Sequence, residues 1–414
     1  MKHKVVVGLG FGDEGKGTIV DYLTSREEYD YVVRFSGGPQ AAHNVVTDDG
    51  RHHTFAQFGA GTFNGTPTIL SRFMLVNPFN LAKEAEALAG KIPWDPMDML
   101  TVSENCLVIT PWHVDCNRQE ETERGDDRHG SCGEGVGVAQ KFALDYPDLA
   151  LRVKDLYKDY DSLVAQLVMI RSLLNAEYGN FRTLRNPWNL ANMYKFFLID
   201  HQLVVWRDDQ IAQAISESIC VFEGSQGALL DEWKGFHPYT TWSTTTAENA
   251  LTLLTEAGVE EENIEVIGVT RSYHTRHGAG PFPSEDPELL QHFPEAHNGT
   301  GEYQGAWRVG ALDLELLDYG VQANPYIDTL AVTHMDRDTY CISDFPDDED
   351  APYLPVMTGD LEKQERLTHH LYLNPKGYDY SDEKYLLSHI AASAPISILS
   401  YGPTAKDKVE VDIW

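Results

Sequence analysis

The chain has 414 residues, enough for one large α/β domain with subdomains or for two domains. Hydrophobic residues make up 42% and charged residues 23%, the composition of an ordinary globular protein. The 64 acidic and 32 basic residues give a net charge of −32, which argues against nucleic acid or an anionic membrane as a partner. This charge does not exclude a small phosphorylated ligand, because a local group of backbone amides can hold an anion.

The cysteines and the N-terminus indicate the setting of the protein. The five cysteines contain no CxxC pair, so neither a disulfide framework nor a zinc site is indicated. The N-terminus leads directly into a predicted strand, without a signal-peptide pattern or a long apolar run. We therefore expect a reducing, cytoplasmic setting.

Short Val- and Ile-rich runs predict strands that are buried on both faces, and helical patterns alternate with them. The predicted strands cover residues 4–8, 31–36, 219–223, 264–270, 329–333 and 396–400. The predicted helices include residues 17–25, 81–89, 154–175, 211–218 and 247–258. This order predicts an α/β fold with a mostly parallel central sheet flanked by helices.

Two stretches depart from this alternation. The aromatic, less regular stretch 178–206 is predicted to lie in an insert rather than in the sheet, as part of a helical insert around residues 150–210. The acidic, proline-bounded segment 344–352 is predicted to be a solvated surface turn. We expect one domain over residues 1–414, with this helical insert and small β inserts.

The segment VVVGLGFGDEGKGTIVD is the most informative part of the sequence, because it places five glycines between a predicted strand and a predicted helix. Glycine lets a backbone turn sharply and approach a ligand, and amides at a helix N-terminus bind phosphate. Gly10, Gly15 and Lys16 match the first part of a P-loop, but Gly17 displaces the hydroxyl residue to Thr18. We expect a P-loop-like phosphate site in which Lys16 neutralises charge.

Two carboxylates, Asp13 and Glu14, lie inside this glycine loop. A loop that only holds an anion has no need of them. Their presence indicates a metal ligand or a general base.

Further segments resemble the adenylosuccinate synthetase family, in that family's order. They are GDEGKG after VVVGLG, VVRFSGG followed by AAH, FEGSQGALLD, HPYTTWSTTTA, TRHGAGPFPSE, RVGALD, THMD and SYGP. The resemblance covers most of the chain and implies a GTP-dependent ligase of purine nucleotide biosynthesis that forms a C–N bond. In such an enzyme, GTP phosphorylates the 6-oxygen of inosine monophosphate (IMP), and the aspartate amine then displaces the phosphate to give adenylosuccinate.

The resemblance also implies the parts of the catalytic site. Asp13 matches the base and Mg²⁺ ligand, and His43 matches the acid that stabilises phosphoryl transfer. Lys16 and Mg²⁺ would neutralise charge during an in-line transfer, and the carbonyl of Ala42 is the other expected Mg²⁺ contact. A homodimer is implied as well, because members of the family complete the site across a subunit interface.

The positions implied to bind GTP form a second set. They are Gly12, Glu14, Gly15, Gly17, Thr18, Arg308, His334, Asp336, Ser400 and Gly402. A carboxylate at Asp336 can accept two hydrogen bonds from guanine, from N1–H and from the exocyclic amine, whereas adenine has no matching donor pair. GTP is therefore expected rather than ATP, although His334 replaces the usual lysine whose stem stacks on guanine.

The positions implied to bind the acceptor nucleotide are Gln40, Cys132, Gln226 and Thr241. Gln40 stands where the family has Asn, and Cys132 replaces a Thr that hydrogen-bonds the 5′-phosphate, for which a thiol is a poor substitute. Residues 138–150 contain no Arg to reach that phosphate across a dimer interface. The phosphate contacts of the acceptor are therefore expected to be weakened.

The loop implied to bind aspartate departs furthest from the family. The usual Thr-Thr-Gly followed by four Arg reads GEYQGAWR here, so that only Arg308 survives and Glu302 adds a negative charge. A site for a dicarboxylate is expected to keep arginines that form paired hydrogen bonds. This loop therefore leaves the amine donor open.

Several functions remain open from the sequence. Adenylosuccinate synthesis from IMP and aspartate is the leading hypothesis, and the alternative is a ligase of the same chemistry on another purine-like acceptor, for example a guanine nucleotide, or another amine donor. A nucleotide-binding regulator is a different class, which the retained Asp13, Lys16 and His43 disfavour. A GTPase switch has no support beyond the glycine loop.

Overall fold

A computed structural model describes residues 1–179, 185–294, 299–343 and 359–414. The acidic segment 344–352, predicted as a surface turn, lies outside the described residues. The described helices are α1 Lys16–Arg26, α2 Pro78–Leu88, α3 Pro111–Arg124, α4 Val136–Asp145, α5 Tyr160–Tyr178, α6 Pro187–His201, α7 Asp208–Ser216, α8 Glu248–Glu256, α9 Leu314–Ala323, α10 Leu361–Leu373 and α11 Glu383–Ala391.

The strands alternate with these helices through most of the chain. Those described are β1 His3–Gly8, β2 Tyr31–Arg34, β3 His43–Val46, β4 His52–Phe55, β5 Thr68–Leu70, β6 Leu75–Val76, β7 Leu100–Ser103, β8 Leu107–Val108, β9 Val204–Trp206, β10 Cys220–Glu223, β11 Ile264–Arg271, β12 His274–His277, β13 Trp307–Gly310, β14 Leu312–Asp313, β15 Thr329–Thr333, β16 Tyr340–Ser343, β17 Asp379–Ser381, β18 Ile396–Ser400 and β19 Lys408–Ile413. The predicted strands and helices are confirmed, with shifts at their ends. The largest shift concerns the predicted helix 154–175, where α5 begins only at Tyr160, after a 3-10 helix over Val153–Tyr157.

A ten-stranded sheet forms the centre of the fold, in the order β19-β18-β15-β11-β1-β10-β2-β5-β7-β9. All of its neighbouring strands are parallel except the edge pair β18 and β19. Alternate side chains of β1 point to opposite faces, so Val6 packs in the core on one face and Val5 and Val7 in the core on the other. This arrangement confirms the predicted mostly parallel α/β fold.

The described part of the stretch 178–206, which omits residues 180–184, is more regular than predicted. Asn186 caps α6 by accepting a hydrogen bond from the Asn189 amide, and Pro187 occupies the first helical turn. β9 then pairs in parallel with β7 at the edge of the central sheet. The prediction that this stretch lies outside the sheet is therefore wrong for Val204–Trp206, because a three-residue edge strand is too short to give a clear periodicity. Helix α6 lies outside the sheet, as predicted.

The sheet brings several loops to one place. The carboxyl ends of β1, β11 and β15 lie side by side, and the chain leaves each of them toward the same edge. In open parallel sheets, ligands bind at this edge. No helix among the described residues is long and apolar enough to cross a membrane.

Candidate active site

A cavity of about 320 Å³ opens at the carboxyl edge of the sheet. It collects most of the residues that the sequence implied for GTP, Mg²⁺ and catalysis. Those that line it are Gly12, Asp13, Gly15, Lys16, Gly17, Thr18, Ala42, His43, His334, Asp336, Ser400 and Gly402. The chain therefore assembles one site from four widely separated segments.

The glycine loop is held by its own carboxylate. Glu14 is buried, and its Oε1 accepts hydrogen bonds from the amides of Gly10 and Gly12 at 3.0 and 2.7 Å. Lys16 Nζ lies 2.8 Å from Glu14 Oε2 and donates to the carbonyl of Gly12 at 3.0 Å. Glu14 thus shapes the loop and positions Lys16 from outside the cavity wall, whereas the sequence implied a direct GTP contact.

Two glycines allow α1 to approach the rest of the site. Gly15 has a φ of 92°, which side-chain-bearing residues rarely adopt. At Gly17, a Cβ atom would lie 2.7 Å from Cβ of His43. The first turn of α1 therefore needs Gly17 in order to lie against His43, which explains why the hydroxyl residue of the P-loop pattern is shifted to Thr18.

Asp13 faces the same cavity in an environment that favours its protonated form. Burial raises the pKa of its carboxyl group, while His277 and Arg271 act in the opposite direction. Arg271 also donates a hydrogen bond from Nε to the Asp13 backbone carbonyl. A carboxyl group with a raised pKa suits a general base that must accept a proton near neutral pH.

His43 forms a buried pair with a residue that the sequence did not single out for function. Its Nδ1 lies 2.5 Å from Oε1 of Glu223, whose Oε2 accepts the Ala60 amide at 3.0 Å. Burial raises the pKa of Glu223, but Arg34 and His43 outweigh it and hold the value below the ordinary one. An ionised Glu223 fixes the Nδ1 hydrogen toward itself and leaves Nε2 for a ligand.

The wall after β15 carries the residues implied to bind the nucleobase. His334 has a φ of 58°, an unusual value for a residue with a side chain, and its carbonyl accepts a hydrogen bond from Ser272 Oγ at 2.7 Å. Asp336 is exposed at the cavity and has Arg337 Nε 3.9 Å from its Oδ1. The turn at His334 thus directs the Asp336 segment to the cavity.

A buried lysine connects the start of α1 to the loop that follows β18. Lys408 Nζ donates hydrogen bonds to Thr18 Oγ1 at 2.5 Å and to the carbonyls of Gly402 and Thr404 at 2.9 and 2.8 Å. Burial lowers its pKa to about 8. Lys408 therefore joins the start of α1 to the loop that contains Gly402, one of the positions implied to bind GTP.

The residues implied to hold the acceptor nucleotide do not line this cavity. Gln226 has a φ of 53° and lies against the glycine loop, where a Cβ on Gly12 would be 3.5 Å from its Cα. Its Oε1 and both polar side-chain atoms of Gln40 are buried without a hydrogen-bond partner among the described residues. Thr241 is half-buried and donates its amide to the Leu230 carbonyl. Unsatisfied amides of this kind are costly unless a ligand binds them.

Cys132 lies in a separate loop that the glycines at 130, 133 and 135 shape. Burial raises the pKa of its thiol to about 12, so the group is neutral and a weak donor. Arg118 donates from Nε to the Gly133 carbonyl at 2.9 Å, and its guanidinium carbon is 5.4 Å from the Tyr303 ring centre. The loop implied to bind aspartate therefore packs on the loop implied to bind the 5′-phosphate.

Arg308 is the surviving arginine of the 301–308 loop, and all three of its guanidinium nitrogens bond to protein groups. Its Nε and Nη2 bond to the two carboxylate oxygens of Glu285, and its Nη1 donates to the carbonyls of Gly278 and Gly280, each at 2.9 Å. The described cavity wall does not include it. Arg308 therefore braces neighbouring loops, and the GTP contact implied for it stays a prediction.

Sequence reasoning missed Glu223 and Arg271. For Glu223 a signal existed, because it is a carboxylate at the end of a strand whose residues are all buried. Arg271 ends β11, and its position at the cavity follows only from the sheet order.

The fold and the cavity define a nucleotide-dependent α/β enzyme with a P-loop-like loop. Comparison with known proteins identifies the family: the model for adenylosuccinate synthetase matches residues 5–342. An adenylosuccinate synthetase of Thermoplasma volcanium is 30% identical over 99% of this chain and 97% of its own length. Another from Thermodesulfovibrio yellowstonii is 33% identical over 81% and 78%. The chain belongs to the adenylosuccinate synthetase family.

Solved structures show the same fold. Fully ligated adenylosuccinate synthetase from Plasmodium falciparum superposes with a TM-score of 0.82 at 22% identity, covering 99% of this chain and 100% of that one. The succinoaminodeoxyadenylate synthetase (PurZ) of cyanophage S-2L, bound to dGMP and dATP as an energy donor, gives a TM-score of 0.65 at 17% identity. That match covers 99% of this chain and 95% of the phage chain.

Proposed function

We propose that the protein catalyses GTP-dependent synthesis of adenylosuccinate from IMP and aspartate. The observation that carries this proposal is the single cavity in which Asp13, Lys16 and His43 meet Asp336. The reaction needs a base, two cationic or acidic groups that contact the phosphoryl oxygens, and a carboxylate that binds guanine. Membership of the family supports the same assignment.

The residues act in a defined order. Asp13 takes the N1 proton of IMP, so that negative charge develops on O6 and O6 attacks the γ-phosphorus of GTP, releasing GDP. Lys16 and the amides at the start of α1 bind the phosphates, and His43, oriented by Glu223, donates to the transferring group. The aspartate amine then attacks C6, the C6–O6 bond breaks so that the 6-phosphoryl group leaves as phosphate, and the attacking nitrogen releases a proton to solvent.

Mg²⁺ fits the oxygen donors present. The cavity exposes Asp13 and Ala42, which offer one carboxylate and one carbonyl. Among the described residues there is no cluster of three or more His, Cys, Asp or Glu able to hold a metal. Mg²⁺ is commonly held by one or two carboxylates together with substrate phosphates and water. When bound, it supplies positive charge to the phosphoryl oxygens.

A second candidate is a ligase of the same chemistry with another acceptor or amine donor. The contact of Tyr303 with Arg118, the Arg308–Glu285 pair and the neutral Cys132 favour it, because each weakens a site for an anionic group. A homodimer and a cytoplasmic location stay predictions from the sequence and the family. Cross-linking of the purified protein tests the dimer.

Product stoichiometry tests the proposed function. Purified protein is incubated with Mg²⁺, GTP, IMP and aspartate, and GDP, phosphate and adenylosuccinate are measured together. We expect equal amounts of all three and no GDP when IMP is omitted. Release of GDP without adenylosuccinate, or no reaction, would contradict the proposal.

A further inference from the structure

Arg271 is a buried cation in the wall of the cavity, and three segments hold it in place. It ends β11, is 6% exposed, and donates from Nη1 to the hydroxyl of Tyr273 at 2.9 Å. Its Nε donates to the Asp13 carbonyl. Its guanidinium carbon lies 5.3 Å from the ring centres of both Tyr273 and Trp307. The guanidinium is therefore oriented before any ligand binds.

Trp307 connects this cation to the loop that lost its arginines. It begins β13, directly after the 301–306 segment, and pairs with His277 of β12. Arg271 therefore stands where this loop meets the cavity, close to Asp13. Arg308, which follows Trp307 in sequence, is engaged by Glu285 instead.

We propose that Arg271 binds a carboxylate of the amine donor and so replaces, from the central sheet, the arginines that the 301–308 loop lacks. A guanidinium is a permanent cation whose planar N–H groups pair well with a carboxylate, and in Arg271 two of its nitrogens, Nε and Nη1, already donate to Asp13 and Tyr273. Stacking on Tyr273 and Trp307 reduces the entropy lost when that carboxylate binds. Arg271 has this role only if the proposed ligase function holds.

The phosphates of GTP are the competing anions at this position. Lys16 and the amides at the start of α1 already supply donors for them. Arg271 instead lies against Trp307, on the side of the cavity that continues into the 301–308 loop. This placement favours the amine donor.

Steady-state kinetics of Arg271→Gln and Arg271→Lys test the proposal, with separate KM values for aspartate, GTP and IMP. For Arg271→Gln we expect the aspartate KM to rise about 10- to 100-fold, the range for losing a hydrogen bond to a charged group. The KM values for GTP and IMP should stay within about threefold of wild type. Arg271→Lys keeps the charge but not the fork, so an intermediate aspartate KM is expected.

Arg337→Gln is the matched variant, because Arg337 lines the same cavity beside Asp336. It should leave the aspartate KM within about threefold. An unchanged aspartate KM in both Arg271 variants, or a GTP KM that rises as much as that for aspartate, would overturn the proposal.

These experiments distinguish failure of the proposed ligase function from failure of the role of Arg271 alone. If Arg271→Gln does not fold, as judged by circular dichroism and thermal unfolding, then Arg271→Lys decides, and an unchanged aspartate KM in it overturns the role of Arg271. A wild-type protein that makes no adenylosuccinate refutes the proposed function and the role of Arg271 together. An active wild type with unaffected Arg271 variants refutes only the role of Arg271.

Discussion

The two ends of the site are built differently. At the nucleotide end, buried partners hold the functional groups in place: Glu14 positions Lys16, and Glu223 positions His43. At the other end, the 301–308 loop packs on the 130–135 loop through Tyr303, and Arg308 is engaged by Glu285.

This contrast indicates which part of the reaction the structure constrains most. The groups implied to activate an oxygen with GTP are prearranged in one cavity, and prearranged charges are the effective ones in catalysis. The positions implied to bind the acceptor and the amine donor, in contrast, depart from the family pattern at Gln40, Cys132 and the 301–308 loop. Variants of the groups implied in phosphoryl transfer should therefore affect turnover, a variant of Asp336 should affect nucleotide choice, and variants at the other end should affect the choice of acceptor and amine donor.

Asp13→Asn should have the largest effect. Removing the base and one of the proposed Mg²⁺ ligands is expected to lower kcat at least about 1,000-fold, while GTP still binds through Lys16 and the loop amides. Adenylosuccinate formation and equilibrium binding of GTP measure the two quantities. Retained turnover would show that Asp13 is not the base.

Asp336→Asn should come next. Losing the charged acceptor for guanine N1–H and its amine is expected to raise the KM for GTP about 10- to 100-fold. The Asn amide should at the same time improve the use of XTP, whose 2-oxygen accepts a hydrogen bond. Kinetics with both nucleotides check this, and the exposed neighbouring variant Asp338→Asn should behave as wild type.

Glu223→Gln should have a smaller effect, of about 10-fold on kcat, because His43 loses a charged hydrogen-bond partner but remains in place. The chain offers a matched control in Glu84, another buried carboxylate beside a histidine, with His53 Nε2 3.8 Å away. Glu84 accepts the amides of Ala56 and Gln57 and does not line the cavity. Glu84→Gln should lower stability without lowering kcat; equal losses of kcat in both variants would contradict the role of Glu223.

His274→Leu should change only the response of stability to acid. Burial lowers the pKa of His274 from 6.5 to about 4, and neither ring nitrogen has a hydrogen-bond partner among the described residues. Between these values the unfolded chain binds the proton and the folded one does not, so stability falls as the pH falls from 6.5 toward 4. Urea unfolding at pH 7 and pH 5 should show about 2 kcal/mol less loss in His274→Leu than in wild type. The exposed variant His369→Leu should keep the wild-type loss.

The sequence predicted the central sheet and the glycine loop because their signals are local. The Val and Ile runs predict buried strands, and Gly12, Asp13 and Lys16 lie within five residues of one another in a single motif. The edge strand β9 was missed because three half-exposed residues carry almost no pattern.

The partners of these motifs could not be predicted, since they depend on distant segments. Glu223 meets His43 across 180 residues, and Arg271 meets Asp13 across 258. The bond of Arg308 to Glu285 depends on how two loops pack, which a family pattern does not encode. Burial and charge in the folded chain decide these contacts.

Competition between acceptors is the decisive test of whether the protein makes adenylosuccinate from IMP and aspartate. Wild-type protein with Mg²⁺, GTP and ¹⁵N-labelled aspartate is given IMP, GMP and dGMP together in equal amounts, and the products are identified by mass. We predict labelled adenylosuccinate from IMP as the main product. A main adduct of GMP or dGMP, or GTP consumption without any adduct of labelled aspartate, would contradict the account.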